Sequence, residues 1–255
     1  MRAAVIIPAR YGSTRFPGKI LMRGPSGKPL IQYVWENAVR ARGIDRVIVA
    51  TDDERIMSAV TAFGGEARMT AARHASGSDR CAEVAADLDH DVIVNLQGDE
   101  PGMTHELISR TVSMLAESPD CDIATLACPI ETESDLADFN TVKVVLDASS
   151  SALYFSRAPI PHVRGSSSPV AESPAPHLAH LGIYAFRREA LMRFAALDPH
   201  PLEKAEKLEQ LRALANGFII KVDAVPERTL KVDTLEDFQA FCKAAQADLQ
   251  NNTQG

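Results

Sequence analysis

Cysteine is scarce in this chain: 4 thiols among 255 residues (Cys81, Cys121, Cys128 and Cys242), with no C-x-x-C pair and no zinc-ligand spacing. That excludes a disulfide framework or a zinc ribbon and fits thiols kept reduced, so a cytoplasmic protein is expected. Hydrophobic runs are short. The N-terminal one is too brief for a signal peptide, and none approaches the length of a membrane span, so no membrane insertion is expected. Neither G-x-S-x-G nor a local His–Cys pairing occurs, which removes the familiar nucleophile arrangements. No internal repeat is present. Acidic residues are missing from one region in particular: none occurs before Glu36, whereas Arg2, Arg10, Arg15, Lys19, Arg23 and Lys28 do. The formal net charge is nevertheless -7, which argues against general nucleic-acid binding. A basic patch on an acidic protein points to a small anionic ligand.

What is present alternates. The apolar run from Ala3 to Ile7 reads as a buried strand stopped by Pro8. Leu30, Ile31, Val34, Trp35, Ala38 and Val39 then recur at helical spacing, and Gly43 ends that helix. "RVIVATDD" is the next strand and "ERIMSAVTAFG" the next helix. "SGSDRCAEVAADL" begins with small polar caps and turns amphipathic. "DVIVNLQGDEP" is a third strong strand, followed by a helix near Thr104–Glu117. Strands alternating with helices imply an α/β fold with a mainly parallel central sheet covered on both faces. Functional groups in such sheets gather at the carboxyl ends of the strands, here residues 8–19, 51–53 and 97–100.

The second half differs. "DIATLACPI", "VKVVLD", "ALYFSR", "HLGIYAF" and "FIIKVDAV" are five strand-like runs with fewer helices between them. They are expected to complete the sheet and add a smaller mixed lobe. The organisation expected is one domain over residues 1–250, with residues 120–225 forming that smaller lobe, then a flexible tail from 251. Residues 164–176, "RGSSSPVAESPAP", are expected to form a mobile loop. The last helix starts at Thr234 with a capping-box pattern.

The cation-rich stretch after the first strand is "IPARYGSTRFPGK", residues 7–19. A turn rich in Gly and Ser would present backbone N–H groups and three cations toward one point, as a triphosphate requires. It is no Walker A loop: five residues separate Gly12 from Gly18, and Ile20 follows Lys19 where a hydroxyl is needed. G-x-G-x-x-G is also absent after this strand. A solvated basic turn is the plain alternative, and the missing counter-charges weigh against it.

This stretch resembles the signature of the nucleoside-monophosphate sugar synthetases, in particular the cytidylyltransferases that activate the acid sugar 3-deoxy-manno-octulosonate (Kdo). The likeness continues, in order, through "GKPLIQYVWENA", "VIVATDD", "ASGSDRCAEV", "VIVNLQGDEP", "VKVVLD", "ALYFSRAPIP", "HLGIYAF", "LEQLR" and "VDTLEDF". The resemblance implies a nucleotide-diphospho-sugar transferase-like fold, a Mg2+-dependent reaction of CTP with Kdo for lipopolysaccharide biosynthesis, and a homodimer, with residues 120–225 as the sugar-binding and dimerisation lobe. It implies Arg10 and Lys19 on the CTP phosphates with Arg15 nearby, backbone of Ala9 beside the cytosine, and Ser76, Gly77 and Arg80 in a further nucleotide-binding segment. That segment begins a helix whose N-terminus favours an acceptor oxygen; an exposed helix charge is the ordinary alternative for Arg80.

Magnesium prefers one or two carboxylates plus phosphate oxygens and water. Asp99 matches the family's metal ligand and Asp233 supplies a second carboxylate. Arg10, Lys19, Asp99 and Asp233 form the expected catalytic set. His180 and Tyr184, four apart on a strand and so facing one way, are placed by the resemblance near the sugar with Gln97, Glu209 and Gln210. Arg157 is a further candidate for the sugar carboxylate. Leu235 replaces the proline common after "VDT" in the family, and Lys231 matches no assignable pattern.

Three rivals stand beside this reading. One is a cytidylyltransferase for sialic acid or an amino-substituted Kdo. Another is a metal-dependent glycosyltransferase, given "DLD", "DHD" and "DCD", which read better as solvated turns. A third is a catalytically silent nucleotide-binding module.

Overall fold

The computed structural model describes residues 1–12, 16–74, 76–226 and 228–252. The chain divides into two units, Met1–Val112 with Thr229–Gly255, and Ser113–Arg228.

The first unit carries four parallel strands. β1 (Ala3–Ala9) lies between β2 (Ile44–Thr51) and β4 (Val92–Leu96), and β2 pairs with β3 (Glu66–Met69). All seven residues of β1 are buried. Successive side chains point to opposite faces, so both faces of this strand are covered, as a parallel sheet requires. The strand runs past Pro8, which was expected to stop it. Pairing with β4 ends at Ile6↔Asn95, while pairing with β2 continues through Pro8↔Ala50 to Ala9↔Thr51. The missing N–H of proline therefore falls beyond the β4 ladder.

Helix α1 (Leu30–Arg40) buries Leu30, Ile31, Val34 and Ala38. Val39, expected on that face, is 50% exposed. It lies nine residues after Leu30, roughly half a turn out of phase. α2 (Glu54–Ala62) is capped by Asp53, whose carboxylate accepts from the Arg55 backbone. α3 (Gly77–Ala85) starts with a reciprocal capping box between Ser76 and Asp79. α4 (His105–Glu117) follows Thr104, whose hydroxyl accepts from Leu107 N.

β3 went unrecognised in the sequence because "EARM" is half exposed rather than apolar. Its tie to β2 includes the Arg46 fork on Glu66, with both N–O distances 2.8 Å. The last helix, α10 (Leu235–Asn252), opens as expected: Thr234 Oγ1 accepts from Asp237 N, and Asp237 Oδ2 accepts from Thr234 N. Its Phe238 and Phe241 pack with Leu30 and Val232, so α10 and α1 share one hydrophobic cluster. The tail expected from residue 251 falls on the last two residues of α10 and on 253–255, which lie outside the described residues.

The second unit is mixed. β5 (Ile123–Pro129) pairs antiparallel with β8 (Leu178–Arg187) and parallel with β9 (Ile220–Ala224). β6 (Lys143–Leu146) pairs antiparallel with both β7 (Ala152–Ser156) and β8. The five strand-like runs of the second half thus all form strands. Five short helices accompany them: α5 (Glu133–Ala137), α6 (Pro169–Glu172), α7 (Arg188–Ala195), α8 (Pro201–Glu206) and α9 (Gln210–Ala215). α6 lies inside the stretch expected to be a loop and begins with proline at its first position, where the absent N–H costs nothing. Lys143 is fully buried, and its ammonium donates to the carbonyls of Asp138, Thr141 and Arg157.

Candidate active site

The carboxyl end of β4 runs into Gln97–Gly98–Asp99–Glu100. Gly98 permits this close passage: a Cβ there would stand 3.2 Å from the Pro8 carbonyl and 3.0 Å from Ile31 Cδ1. The segment then zips against the approach to α10. Val232 N donates to Asp99 O at 2.9 Å, and Gly102 N donates to Leu230 O at 3.1 Å. These two backbone bonds bring Asp99 and Asp233 together across more than half the chain.

Lys19 joins them from a 3-10 turn, Lys19–Leu21, that follows Gly18 in a left-handed conformation (φ 72°). Its Nζ donates to Asp99 Oδ2 at 2.6 Å, Val232 O at 2.8 Å and Asp233 Oδ1 at 2.9 Å. An ammonium has three donors, and all three are used. Lys19 is 6% exposed. In the expected arrangement it held phosphates; here its hydrogens are directed to the two carboxylates and a carbonyl.

Two further groups complete the cluster, and neither was singled out as a site residue in the sequence. Lys231 Nζ lies 3.4 Å from Asp233 Oδ2. Burial opposes its charge, yet Asp99, Glu100 and Asp233 outweigh that and hold its pKa above the ordinary value. Glu100 is 3% exposed. Burial, reinforced by Asp99 and Asp233 against the pull of Lys231, pushes its carboxyl up to about 8. The signal for Lys231 was a cation two positions before Asp233. For Glu100 there was none, because burial is not written in "GDEP".

Two residues on the approach to Lys19 are tied together: Gly18 N donates to Tyr11 O at 3.0 Å. The Arg55 guanidinium lies 3.3 Å from the Tyr11 ring centroid and also forks onto Asp53, at 2.9 and 2.6 Å. That hydrogen-bonded fork is the main reason the Asp53 carboxyl is held below its usual range. Arg15 lies outside the described residues. Arg10 is exposed, and its Nη2 donates to His74 O at 3.1 Å. Ala9 is buried at the end of β1.

Ser76 and Gly77 begin α3, next to Gln97. A Cβ on Gly77 would stand 2.8 Å from Gln97 Nε2, so glycine is what admits that amide. Gln97 Nε2 in turn donates to Asn95 Oδ1 at 2.8 Å. Arg80 is not the exposed helix charge that was its ordinary alternative. Its exposure is 0%, its Nη1 donates to Thr70 Oγ1, and its Nη2 is 3.2 Å from Asp52 Oδ2. A fully buried guanidinium paired in this way ties the start of α3 to the carboxyl end of β2.

In the second unit the His180 and Tyr184 rings meet, with centroids 5.2 Å apart and planes at 35°. Tyr184 is 6% exposed; burial, with Glu209 adding to it, lifts its phenol well above the usual value. Glu209 precedes α9, and Gln210, the first residue of that helix, is buried. Arg157 has its guanidinium committed to backbone carbonyls, at 2.6 Å to Glu206 O and 2.9 Å to Phe139 O.

The donor set at Asp99 and Asp233 suits magnesium. Two carboxylates from separate segments already converge on one cationic point, marked by the Lys19 ammonium. Among the described residues, no cluster of three or more His, Cys, Asp or Glu forms a ready-made metal cage. Magnesium does not require one, since it takes one or two carboxylates and completes its shell with water and substrate oxygens.

Comparison with known proteins places the chain in a family. The cytidylyltransferase family profile matches residues 4–228. The 3-deoxy-manno-octulosonate cytidylyltransferase of Syntrophobacter fumaroxidans is 52% identical over 94% of this chain and 95% of its own length. The protein of the same name from Syntrophotalea carbinolica is 49% identical over 93% of this chain and 96% of its own. Among solved structures, a CMP:2-keto-3-deoxy-manno-octonic acid synthetase complexed with CTP superposes with a TM-score of 0.90 at 41% identity, covering 97% of this chain and 100% of that one. A 4-diphosphocytidyl-2C-methyl-D-erythritol synthase from Anaerococcus prevotii, at 16% identity and a TM-score of 0.61, shares the fold. With about half its residues identical to such relatives over nearly its whole length, the chain belongs to the 3-deoxy-manno-octulosonate cytidylyltransferase family.

Proposed function

We propose that this enzyme transfers the cytidylyl group of CTP to the anomeric 2-hydroxyl of Kdo, forming CMP-Kdo and pyrophosphate. The sugar oxygen forms a bond to the α-phosphorus as the bond from that phosphorus to the bridging oxygen of the β-phosphate breaks. The electron pair leaves with pyrophosphate, and the hydroxyl proton is lost to solvent. Such a transfer needs positioning and charge neutralisation more than covalent help from the protein.

The observation that carries the reading is the meeting of Lys19, Asp99 and Asp233, drawn from three separate segments onto one point. Asp99 and Asp233 would hold Mg2+. When bound there, magnesium supplies charge neutralisation at the phosphates and makes the attacking hydroxyl more acidic. Lys19 keeps both carboxylates facing one another. Arg10 supplies a second cation for the triphosphate, with Arg15 from the same stretch. Ala9 offers its backbone to the cytosine, and Ser76 and Gly77 offer the N-terminus of α3 to an acceptor oxygen. Arg80 acts from beneath, through Thr70 and Asp52. Gln97, His180, Tyr184, Glu209 and Gln210 are assigned to the sugar, whose hydroxyls and carboxylate call for such polar groups. The family's dimeric assembly, cytoplasmic location and role in supplying lipopolysaccharide synthesis are taken as part of the same proposal.

The test is pyrophosphate release from CTP and Mg2+ with Kdo, an amino-substituted Kdo and sialic acid in parallel, with the nucleotide-sugar identified by mass spectrometry. Kdo is expected to give the highest kcat/KM. A preference for either other sugar would replace Kdo as the substrate. Binding of CTP with no turnover on any of them would overturn the enzymatic reading.

A further inference from the structure

Between β3 and α3 the chain passes through residues 70–76. One end of this segment is fixed by Thr70 N, which donates to Thr51 O at 2.8 Å, and the other by the capping box of α3. Residues 71–74 are neither helix nor strand. A carboxylate reaches them from α3: Glu83 accepts from Ala71 N at 3.1 Å and meets His74 Nε2.

The direction of the second contact follows from charge. The bond to His74 is the main reason the Glu83 carboxyl is held below its usual range, and the Ala71 amide and Arg73 add to it. An ionised carboxylate only accepts, so the hydrogen in this contact belongs to His74 Nε2. The backbone of the same histidine faces the first loop. His74 O accepts from Arg10 Nη2 at 3.1 Å. Arg10 directly follows β1 and is exposed, so its long side chain loses rotamer freedom when it is held. A carbonyl can hold it in one place only if the carbonyl is itself fixed. The contacts thus run from Glu83 to the Ala71 amide and the His74 ring, and from the His74 carbonyl to Arg10.

We propose that Glu83 and the His74 side chain are positioning residues for Arg10: they clamp the His74 carbonyl, which holds the guanidinium in place for the triphosphate of CTP before the nucleotide arrives. Ordering of this kind before binding raises affinity by lowering its entropic cost. The nucleotide half of this statement rests on the assignment of Arg10 under Proposed function; the clamp itself rests on the contacts above.

The experiment measures CTP affinity by titration calorimetry with Mg2+ and no sugar, so the acceptor plays no part. It compares the wild type with Glu83→Ala, His74→Ala, His74→Gln, Arg10→Ala and the double variant Arg10→Ala with Glu83→Ala. Glu83→Ala and His74→Ala are each expected to raise Kd for CTP about fivefold, the share of an ionic hydrogen bond partly screened by solvent. His74→Gln keeps a side-chain N–H for Glu83 and should stay within about twofold of wild type. Arg10→Ala should weaken binding at least about tenfold. Adding Glu83→Ala to it should change Kd less than about twofold, because nothing is left to position.

15N-detected NMR of the histidine rings should show His74 Nε2 protonated in the wild type. Finding it deprotonated overturns the clamp, and this outcome requires no variant to fold. A full fivefold loss on adding Glu83→Ala to Arg10→Ala also overturns it, since Glu83 would then act without Arg10. Unchanged CTP affinity in Glu83→Ala, with Arg10→Ala weakened, overturns the clamp and leaves the assignment of Arg10 standing. Unchanged affinity in Arg10→Ala overturns that assignment itself.

Discussion

The Lys19 ammonium stands 2.6 Å from the Asp99 carboxylate, although 80 residues separate the two in sequence. The same nitrogen reaches Asp233, a further 134 residues on, at 2.9 Å. Lys19 therefore acts as the internal counter-ion of a carboxylate pair that would otherwise repel itself inside a largely buried site. A charged nitrogen with all of its hydrogens accepted is well satisfied, and removing it takes the cation from Asp99 and leaves Asp233 with Lys231, 3.4 Å away.

Lys19→Met is accordingly expected to destabilise the substrate-free enzyme by about 3 kcal/mol, since breaking a buried ion pair from one side exposes the partner's desolvation cost. That corresponds to a fall in Tm of roughly 6–12 °C for a chain of this size. Thermal denaturation in EDTA and again in millimolar Mg2+ measures it. Magnesium alone should restore part of the loss in the variant by taking up the same carboxylates. An unchanged Tm in EDTA would show that Lys19 is not their counter-ion.

Asp99→Asn and Asp233→Asn should each lower turnover at least about a hundredfold, because a neutral amide is a poor magnesium ligand and removes the charge the triphosphate complex needs. Each variant keeps one carboxylate on Lys19, so the fold should survive, as circular dichroism would show. Wild-type pyrophosphate release from a folded Asp99→Asn protein would refute its role.

Gly102→Ala should cost about 2 kcal/mol in stability by overpacking. The added methyl would fall onto the Leu230 backbone, 2.8 Å from its carbonyl oxygen. That contact belongs to the same backbone zipper that carries Asp233 beside Asp99, so kcat should fall as well. Urea denaturation with parallel kinetics tests both effects, and a variant unaffected in either measure would show that the zipper adapts freely.

Glu100 supplies a pH dependence with a definite sign. Its carboxyl rises from 4.5 to about 8 on folding. Below about pH 4.5 both states are protonated and the group costs nothing. Between 4.5 and 8 the unfolded carboxyl ionises while the folded one does not, so its contribution becomes steadily less favourable. Glu100→Gln should thus be more stable than wild type in EDTA, by about 3 kcal/mol at pH 7, with an advantage that shrinks toward pH 4.5. Denaturant midpoints of the two proteins across that range decide it; a difference that does not vary with pH would show that Glu100 ionises normally.

Much of the architecture could be read directly from local pattern. β1 and β4 are apolar runs long enough for a buried strand, the Thr234/Asp237 cap is written in consecutive residues, and the basic stretch before Lys19 stands out for its missing acids. Their physics is local, involving neighbours one to four positions apart. β3 escaped notice because its existence depends on the partner strand: Arg46 of β2 grips Glu66, and nothing apolar announces it.

By itself, then, the sequence determined the alternation of strands and helices, the basic opening loop and the identity of two separated aspartates, because each is set by side-chain chemistry within a short window. Only the tertiary structure decided that Lys19 faces those aspartates, that Glu100 is buried beside them, and that the His180 and Tyr184 rings meet. These are matters of distance and burial, and a carboxylate's pKa depends on what surrounds it in space.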